Sequence, residues 1–334
     1  MNYRKTIAEA WDYTRSNKRL IFWLGVIPAF FTTTVSIGYM LYQFFAFKKS
    51  YLFSEHEESF LKEVAMMIIT FLRDHFSWTL PLVIIAIVFA IIYFLLPTLA
   101  EAGAIQVIAR NRNNQHASVS VGLRHGIMCF LRLLEYNLLV KTFTFFSIVI
   151  EMAFVLRNLG VGIFEIMLPI FILILIVSFV LMLLFTYTAY YIIIDGEGVL
   201  DSIKKSTRLV VVNWRDTFLI TFLMVLIGIR IIIQAFLVFL VPIAVVGVTG
   251  YLTTILLPAT SIILGCILGF IALLVAAYIN GVVNIFSYTV WTFTFLKITS
   301  EKEISARDKM EKVGTVVSAF PKHTGVGHFC LFVS

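Results

Sequence analysis

The chain has 334 residues, of which 60% are hydrophobic and 13% charged, with 32 Phe and a mean hydropathy of +0.97. No soluble globular core hides that much apolar surface, so lipid is the solvent for most of the chain. The formal net charge of +7 does not indicate nucleic acid, because no soluble segment interleaves basic residues with aromatics. In membrane proteins basic residues gather in cytoplasmic loops through the rules of insertion.

A membrane-crossing helix needs about 20 apolar residues for a hydrocarbon core about 30 Å thick. Before the first such stretch, Tyr3, Ile7, Trp11 and Thr14 alternate at helical spacing with Arg4, Lys5, Asp12 and Arg15, which predicts an amphipathic helix lying on the membrane. The uncharged run from Leu20 to Phe47 is too long for a signal-peptide core and reads as a retained first span. Five more stretches qualify, giving spans at about 20–47, 78–108, 136–156, 166–194, 216–242 and 260–296. From Ile231 to Leu296 no residue is charged.

The connections carry their own pattern. Between the first two spans, Ser54 and Glu57 have capping-box spacing, and Phe60, Val64, Met67, Ile68 and Phe71 recur at helical intervals. That predicts an amphipathic helix on the outer surface or one packed on the span ends. Before the third span, Leu123, Ile127, Phe130, Leu131 and Leu134 form an apolar face beside Arg124 and His125. Before the fifth, Val199, Leu200, Ile203, Val210 and Val211 oppose Asp201, Lys204, Lys205 and Arg208.

Laying Leu123-Arg124-His125-Gly126 over Ile203-Lys204-Lys205-Ser206 matches an apolar residue, a basic pair and a small residue. With the N-terminal segment this gives three copies of one unit: an amphipathic helix, a span outward and a span back. Every unit starts and ends on one side, so the repeats are parallel, not inverted. The predicted fold is an all-α polytopic bundle of six transmembrane helices, with a membrane domain at 1–297 and a tail at 298–334 that carries one short helix from Ser305.

Orientation follows from Lys and Arg. One side receives Arg4, Lys5, Arg15, Lys18 and Arg19, then Arg110, Arg112, Arg124 and Arg132, then Lys204, Lys205, Arg208 and Arg215, and the basic tail. The other receives Lys48, Lys49, Lys62, Arg73 and Arg157. Both termini are expected in the cytoplasm. On that topology none of Cys129, Cys266 and Cys330 falls in an external loop, and no structural disulfide is expected.

Several residues invite functional readings. A mid-span Arg costs at least about 3 kcal/mol on insertion scales, so Arg230 is expected to face the bundle interior and find a partner. At helical rise it lies roughly 21 Å from Asp216, and Glu151 lies roughly 22 Å from Tyr136, which puts the two charges at one depth and predicts an ion pair. Asn280, Asn284, Ser287 and Trp291 form a polar stripe suited to interhelical hydrogen bonds, and Gly265 and Gly269 have the spacing of a close helix approach. Glu101 and Glu165, near span ends, are read as anchors. Phe185, Tyr187, Tyr190 and Tyr191 end the fourth span, and Phe286, Tyr288, Trp291, Phe293 and Phe295 the sixth; these read as an aromatic belt or as the wall of a cytoplasmic vestibule. Neither the acidic turn Asp195-Gly196-Glu197 nor the tail residues His323, His328 and Cys330 match a metal-binding pattern. No HExxH, GxSxG or GxxxxGK[ST] motif occurs, so no catalytic residue, metal or cofactor is assigned.

Through Gly198, Ser202, Lys204, Lys205, Ser206 and Asn213 and the helix-span-span layout, the chain resembles a group of bacterial six-span membrane proteins similar to the membrane domain attached to some glycerophosphodiester phosphodiesterases. The resemblance implies a bacterial cytoplasmic membrane location. It carries over no active-site residue, because the catalytic barrel of those enzymes has no counterpart here. Three functions stay open. The first is a non-enzymatic protein that organises or assists other membrane components, with anionic lipid and another membrane protein as partners of its basic face. The second is a transporter or permease for a small molecule or lipid, with Arg230 and Glu151 lining the path. The third is an unrecognised lipid-modifying enzyme.

Overall fold

A computed structural model describes residues 3–48, 60–74, 76–141, 145–229 and 258–312. Among the described residues there are helices and turns and no strand. The elements are α1 (Tyr3–Ser16), α2 (Ile27–Lys48), α3 (Phe60–Asp74), α4 (Phe76–Arg112), α5 (Val119–Lys141), α6 (Phe145–Asn158), α7 (Gly160–Leu184), α8 (Thr188–Ile194), α9 (Val199–Val212), α10 (Trp214–Ile229) and α11 (Pro258–Lys312). Four helical stretches are long and apolar enough to cross a membrane: Lys18–Tyr39, Thr79–Arg112, Gly160–Ile194 and Gly269–Ser300. A fifth counts if α9 and α10, which meet at 95°, are taken as one bent span. The chain is therefore that of a membrane protein. The stretch 136–156, expected as a span, falls on α5 and α6 and is not among the four; residues 142–144 lie outside the described ones, as do 230–242 of the expected fifth span.

Packing is concentrated at one end of the bundle, here called the basic end. The most apolar window of α4 has none of its residues buried, whereas its last turns, Ala102 to Ala109, are buried throughout. One buried cluster joins α4, α5, α8, α9 and α11 through residues such as Ile105, Leu133, Tyr187, Leu209 and Phe295. A second joins α1, the start of the first span, α4, α10 and α11 through Ala10, Leu24, Ile108, Ile220 and Phe293. The exposed middle of the spans is the lipid-facing surface, because apolar side chains in a bilayer gain nothing by leaving it.

Helix approach at the basic end runs through small residues. The first span opens with a π-helical stretch, Ile21–Val26, in which the Ile27 amide reaches Phe22 O five residues back. Pro28 follows, and its missing N–H leaves Leu24 O without the donor an α-helix would supply, which favours the wider turn. There Gly25 meets Gly281 of α11: a Cβ on Gly25 would lie 2.7 Å from Gly281 O, and one on Gly281 2.6 Å from Val26 N. Likewise α4 and α5 touch at Gly103, Gly122 and Gly126, where a Cβ on Gly122 would sit 2.7 Å from Gly103 O. A Cβ on Gly269 would meet nothing within 4 Å among the described residues, so no such close approach is seen at Gly269.

The span expected at 166–194 falls within the apolar stretch Gly160–Ile194, which has a turn at 185–187 between α7 and α8. One further expectation is corrected: no separate short helix begins at Ser305, because α11 runs unbroken from Pro258 to Lys312. Buried Thr289, Thr292 and Thr294 fit into α11 by returning their hydroxyls to the carbonyls of Ile285, Tyr288 and Val290.

The glycine contacts make a direct prediction. Gly281→Leu drives a side chain into the backbone of residues 25 and 26 and abolishes the monodisperse peak of the purified protein in detergent, whereas Gly269→Leu leaves the elution profile unchanged.

Candidate functional site

The basic end is built by α1, α5 and α9, each amphipathic and each packed by its small residues. On α1 the buried face is Thr6, Ala10 and Thr14; on α5 it includes Gly122 and Gly126; on α9 it includes Ser202 and Ser206. The large apolar residues expected to form the packed face are divided. Val199 and Val210 are buried and Ile203 packs against them, but Leu200 is 70% and Val211 60% exposed. On α5, Leu123, Ile127 and Leu131 are exposed, the last at 74%. On these helices small residues thus make the closest approach to the protein, while large apolar residues are split: Leu133, Val199, Leu209 and Val210 are buried, and Trp11, Ile127, Leu131, Leu200 and Val211 are exposed.

The break at 185–187 is held by neighbours. Ser206 donates to Leu184 O at 2.7 Å and accepts from the Tyr187 amide at 3.1 Å. The Tyr136 hydroxyl donates to Phe185 O at 3.1 Å. An unpaired backbone group in a dry environment costs about 1–3 kcal/mol, so these side chains make the break tolerable. A sequence reading sees Ser206 only as a small residue, because its partners are on another helix.

The basic face is partly engaged in holding the helices together. His125 bonds Val121 O through Nδ1 at 3.0 Å and lies 2.7 Å from Arg110 Nη2 through Nε2; since guanidinium only donates, Nε2 accepts and Nδ1–H donates. His125 is thus a joint between α4 and α5, not an open surface charge. Lys205 pairs with Glu197, Arg112 with Glu9 at 2.9 Å, and Arg132 donates to Gly196 O at 2.5 Å. Lys204 stands 3.8 Å from Asp201 with both side chains largely exposed, a pair of little strength. Arg124 and Arg208 are exposed and make no ion pair among the described residues.

The other predicted site residues separate. Glu151 is exposed on α6, while Arg230 lies outside the described residues, and so does their pairing. Asn280 donates to Thr33 Oγ1 at 3.2 Å and ties α11 to α2. Asn284 is half-buried. Ser287 and Trp291 line a cavity of about 430 Å³ between α7, α10 and α11. Glu101, read from sequence as an anchor, lies within electrostatic reach of Tyr136, Tyr190 and Tyr288, which come from three other helices. Of the aromatic residues expected at the ends of the fourth and sixth spans, several pack on one another, Tyr187 meeting Trp291 edge-on at 5.8 Å and Tyr190 stacking on Phe295 at 5.8 Å, while Phe286 and Trp291 also line the cavity. Among the described residues no group of three His, Cys, Asp or Glu is placed to hold a metal; His323, His328 and Cys330 lie outside them.

No protein-family model, curated protein or solved structure matches this chain. The similarity drawn from residues 198–213 therefore rests on motif and layout alone.

Two outcomes follow from these contacts. Ser206→Ala leaves Leu184 O and the Tyr187 amide unpaired and lowers stability by about 1–3 kcal/mol, measured by unfolding in mixed micelles. Tyr13 of α1 accepts from Asn111 Nδ2 at 3.0 Å, and burial raises its phenol above the usual 10.0, against a smaller lowering by Asn111. The docked helix keeps this proton where the free chain loses it, so docking is at full strength below pH about 10 and weakens above it. A thermal-shift series from pH 9 to 11 reads this loss, and Tyr13→Phe reduces it.

Proposed function

We propose that this chain is a non-enzymatic, multi-pass protein of the bacterial cytoplasmic membrane that organises or assists other membrane components through anionic lipid at its cytoplasmic face. Six spans in three helix-span-span units, with both termini cytoplasmic, form its frame. The observation that carries the reading is that α1, α5 and α9 each bring small residues against the protein and leave large apolar residues, Trp11, Leu131 and Leu200 among them, exposed beside basic ones. Such helices sit as wedges in one leaflet, and exposed Arg and Lys at that depth attract anionic headgroups.

The packing order supports the repeat. Helix α5 lies against α4, the return span before it; α9 lies against α7 and α8, the return span before it; α1 lies against α11, the last return span. A cyclic arrangement of three units gives that order. In register, Thr6 and Ala10 correspond to Gly122 and Gly126 and to Ser202 and Ser206, all buried. A permease lined by Arg230 and Glu151 has no such observation behind it: Glu151 is exposed on α6 and is not among the residues that line the cavity beside α10, and Arg230 lies outside the described residues.

The test compares the wild type with the Arg124→Gln, Lys204→Gln, Arg208→Gln triple variant in nanodiscs of mixed phosphatidylcholine and phosphatidylglycerol. Each cation near the surface contributes about 1 kcal/mol, roughly a fivefold effect, so native mass spectrometry is expected to show phosphatidylglycerol enriched on the wild type and depleted at least fivefold on the variant. Equal lipid populations on both proteins sink the proposal.

A further inference from the structure

The cavity is explained neither by the basic face nor by the repeat. Its volume of about 430 Å³ falls within the roughly 300–1,000 Å³ of small-molecule sites. Its wall runs along the helix axes: Thr221 to Gly228 on α10 is about 10 Å of rise, and Val283 to Trp291 on α11 about 12 Å. A slot of that shape, parallel to the spans, fits an extended chain better than a compact solute.

The wall is apolar by more than composition. Thr186 returns its hydroxyl to Met182 O at 3.1 Å and Leu183 O at 2.9 Å, and Thr221 to Thr217 O at 2.8 Å. With those hydroxyls engaged and no charged residue in the lining among the described residues, the slot presents mainly methyl, methylene and ring surface. Lining residues Met182 and Val225 are 38% and 51% exposed, so the wall is continuous with the lipid-facing surface. Trp214, seven residues before Thr221 and therefore on the same face of α10, is 65% exposed. An indole in that position sits at headgroup level, at the basic end of the slot.

We infer that the slot binds one acyl chain of a bilayer glycerophospholipid, drawn from the leaflet on the side of the amphipathic helices, with its headgroup beside Trp214. The chain enters sideways from the bilayer, lies along α10 and α11, and ends against Gly228 and Val283. The inference needs the membrane setting but not the charge of the surface helices, so it stands or falls separately from the anionic-lipid reading.

Gly228 provides the probe of the site, because a Cβ there would meet nothing within 4 Å among the described residues. Gly228→Leu therefore fills the slot without moving backbone, and Val283→Phe fills it from the opposite wall. The full chain is placed in phosphatidylcholine nanodiscs containing a phosphatidylcholine with a diazirine midway along one acyl chain, irradiated, and its adducts mapped by peptide. Adducts are expected on 221–228 and 283–291 at several times the level found on the lipid-facing stretch 79–95. Each filling variant is expected to lower them at least fivefold while leaving 79–95 unchanged. Uniform labelling of all lipid-facing helices, or unchanged slot labelling in both variants, overturns the inference. A diazirine fatty acid serves as the second arm: if it labels the slot and the phospholipid probe does not, the phospholipid assignment is wrong. Because the phospholipid probe is zwitterionic, loss of phosphatidylglycerol enrichment in the triple variant leaves this result untouched.

Discussion

Backbone-to-backbone approach at small residues is the constraint on which the rest of the molecule depends. In lipid there is no hydrophobic force to drive helix against helix, so association rests on close packing and on hydrogen bonds across the contact. The meeting of Gly25 with Gly281 and of Gly122 with Gly103 brings main chains nearer than any side chain permits. Once α1, α5 and α9 dock by such faces, the large apolar residues on their opposite sides have only the bilayer left to face. The exposure of Leu131 and Leu200 is thus a consequence of the docking and not a failure of packing.

The same constraint divides the bundle along its length. At the basic end the spans are clasped by amphipathic helices and filled with tyrosine, threonine and alanine, whereas toward the middle they present Leu, Ile and Val to lipid. Polar residues in the clasped region are accommodated by local means. Thr289, Thr292 and Thr294 turn to their own helix, and Ser206 and Tyr136 satisfy the groups freed at the break in the fourth predicted span. The bonds of Ser206 and Tyr136 cross between helices and so favour one relative position of them, whereas the threonine bonds stay within α11.

How much of this was legible in the sequence depended on range. Hydropathy marked the apolar stretches, since length and composition are local, and helical spacing marked α1, α3, α5 and α9 as amphipathic. It did not tell which side of an amphipathic helix meets protein. In a soluble protein the large apolar face goes inward; here lipid competes for it, and Thr6, Ala10, Gly122 and Ser206 take the inner position. The break at 185–187 was invisible because Leu-Leu-Phe-Thr-Tyr-Thr has no Pro or Gly, and its cause, Ser206, lies on another helix. His125 looked like surface charge for a similar reason, since its partner Arg110 belongs to the preceding span.

The break also joins the two regions to which function is assigned. Thr186 stands in it and lines the cavity, while Tyr187, the next residue, is fully buried and donates its amide N–H to Ser206 Oγ. Tyr187 then reaches Thr217 of α10 at 3.3 Å and Trp291, a second cavity residue, at 5.8 Å. Ser206 of α9 thus holds the turn at 185–187, and Thr186 within that turn forms part of the cavity wall. The helix proposed to meet anionic lipid and the slot proposed to take an acyl chain therefore meet at one three-residue turn.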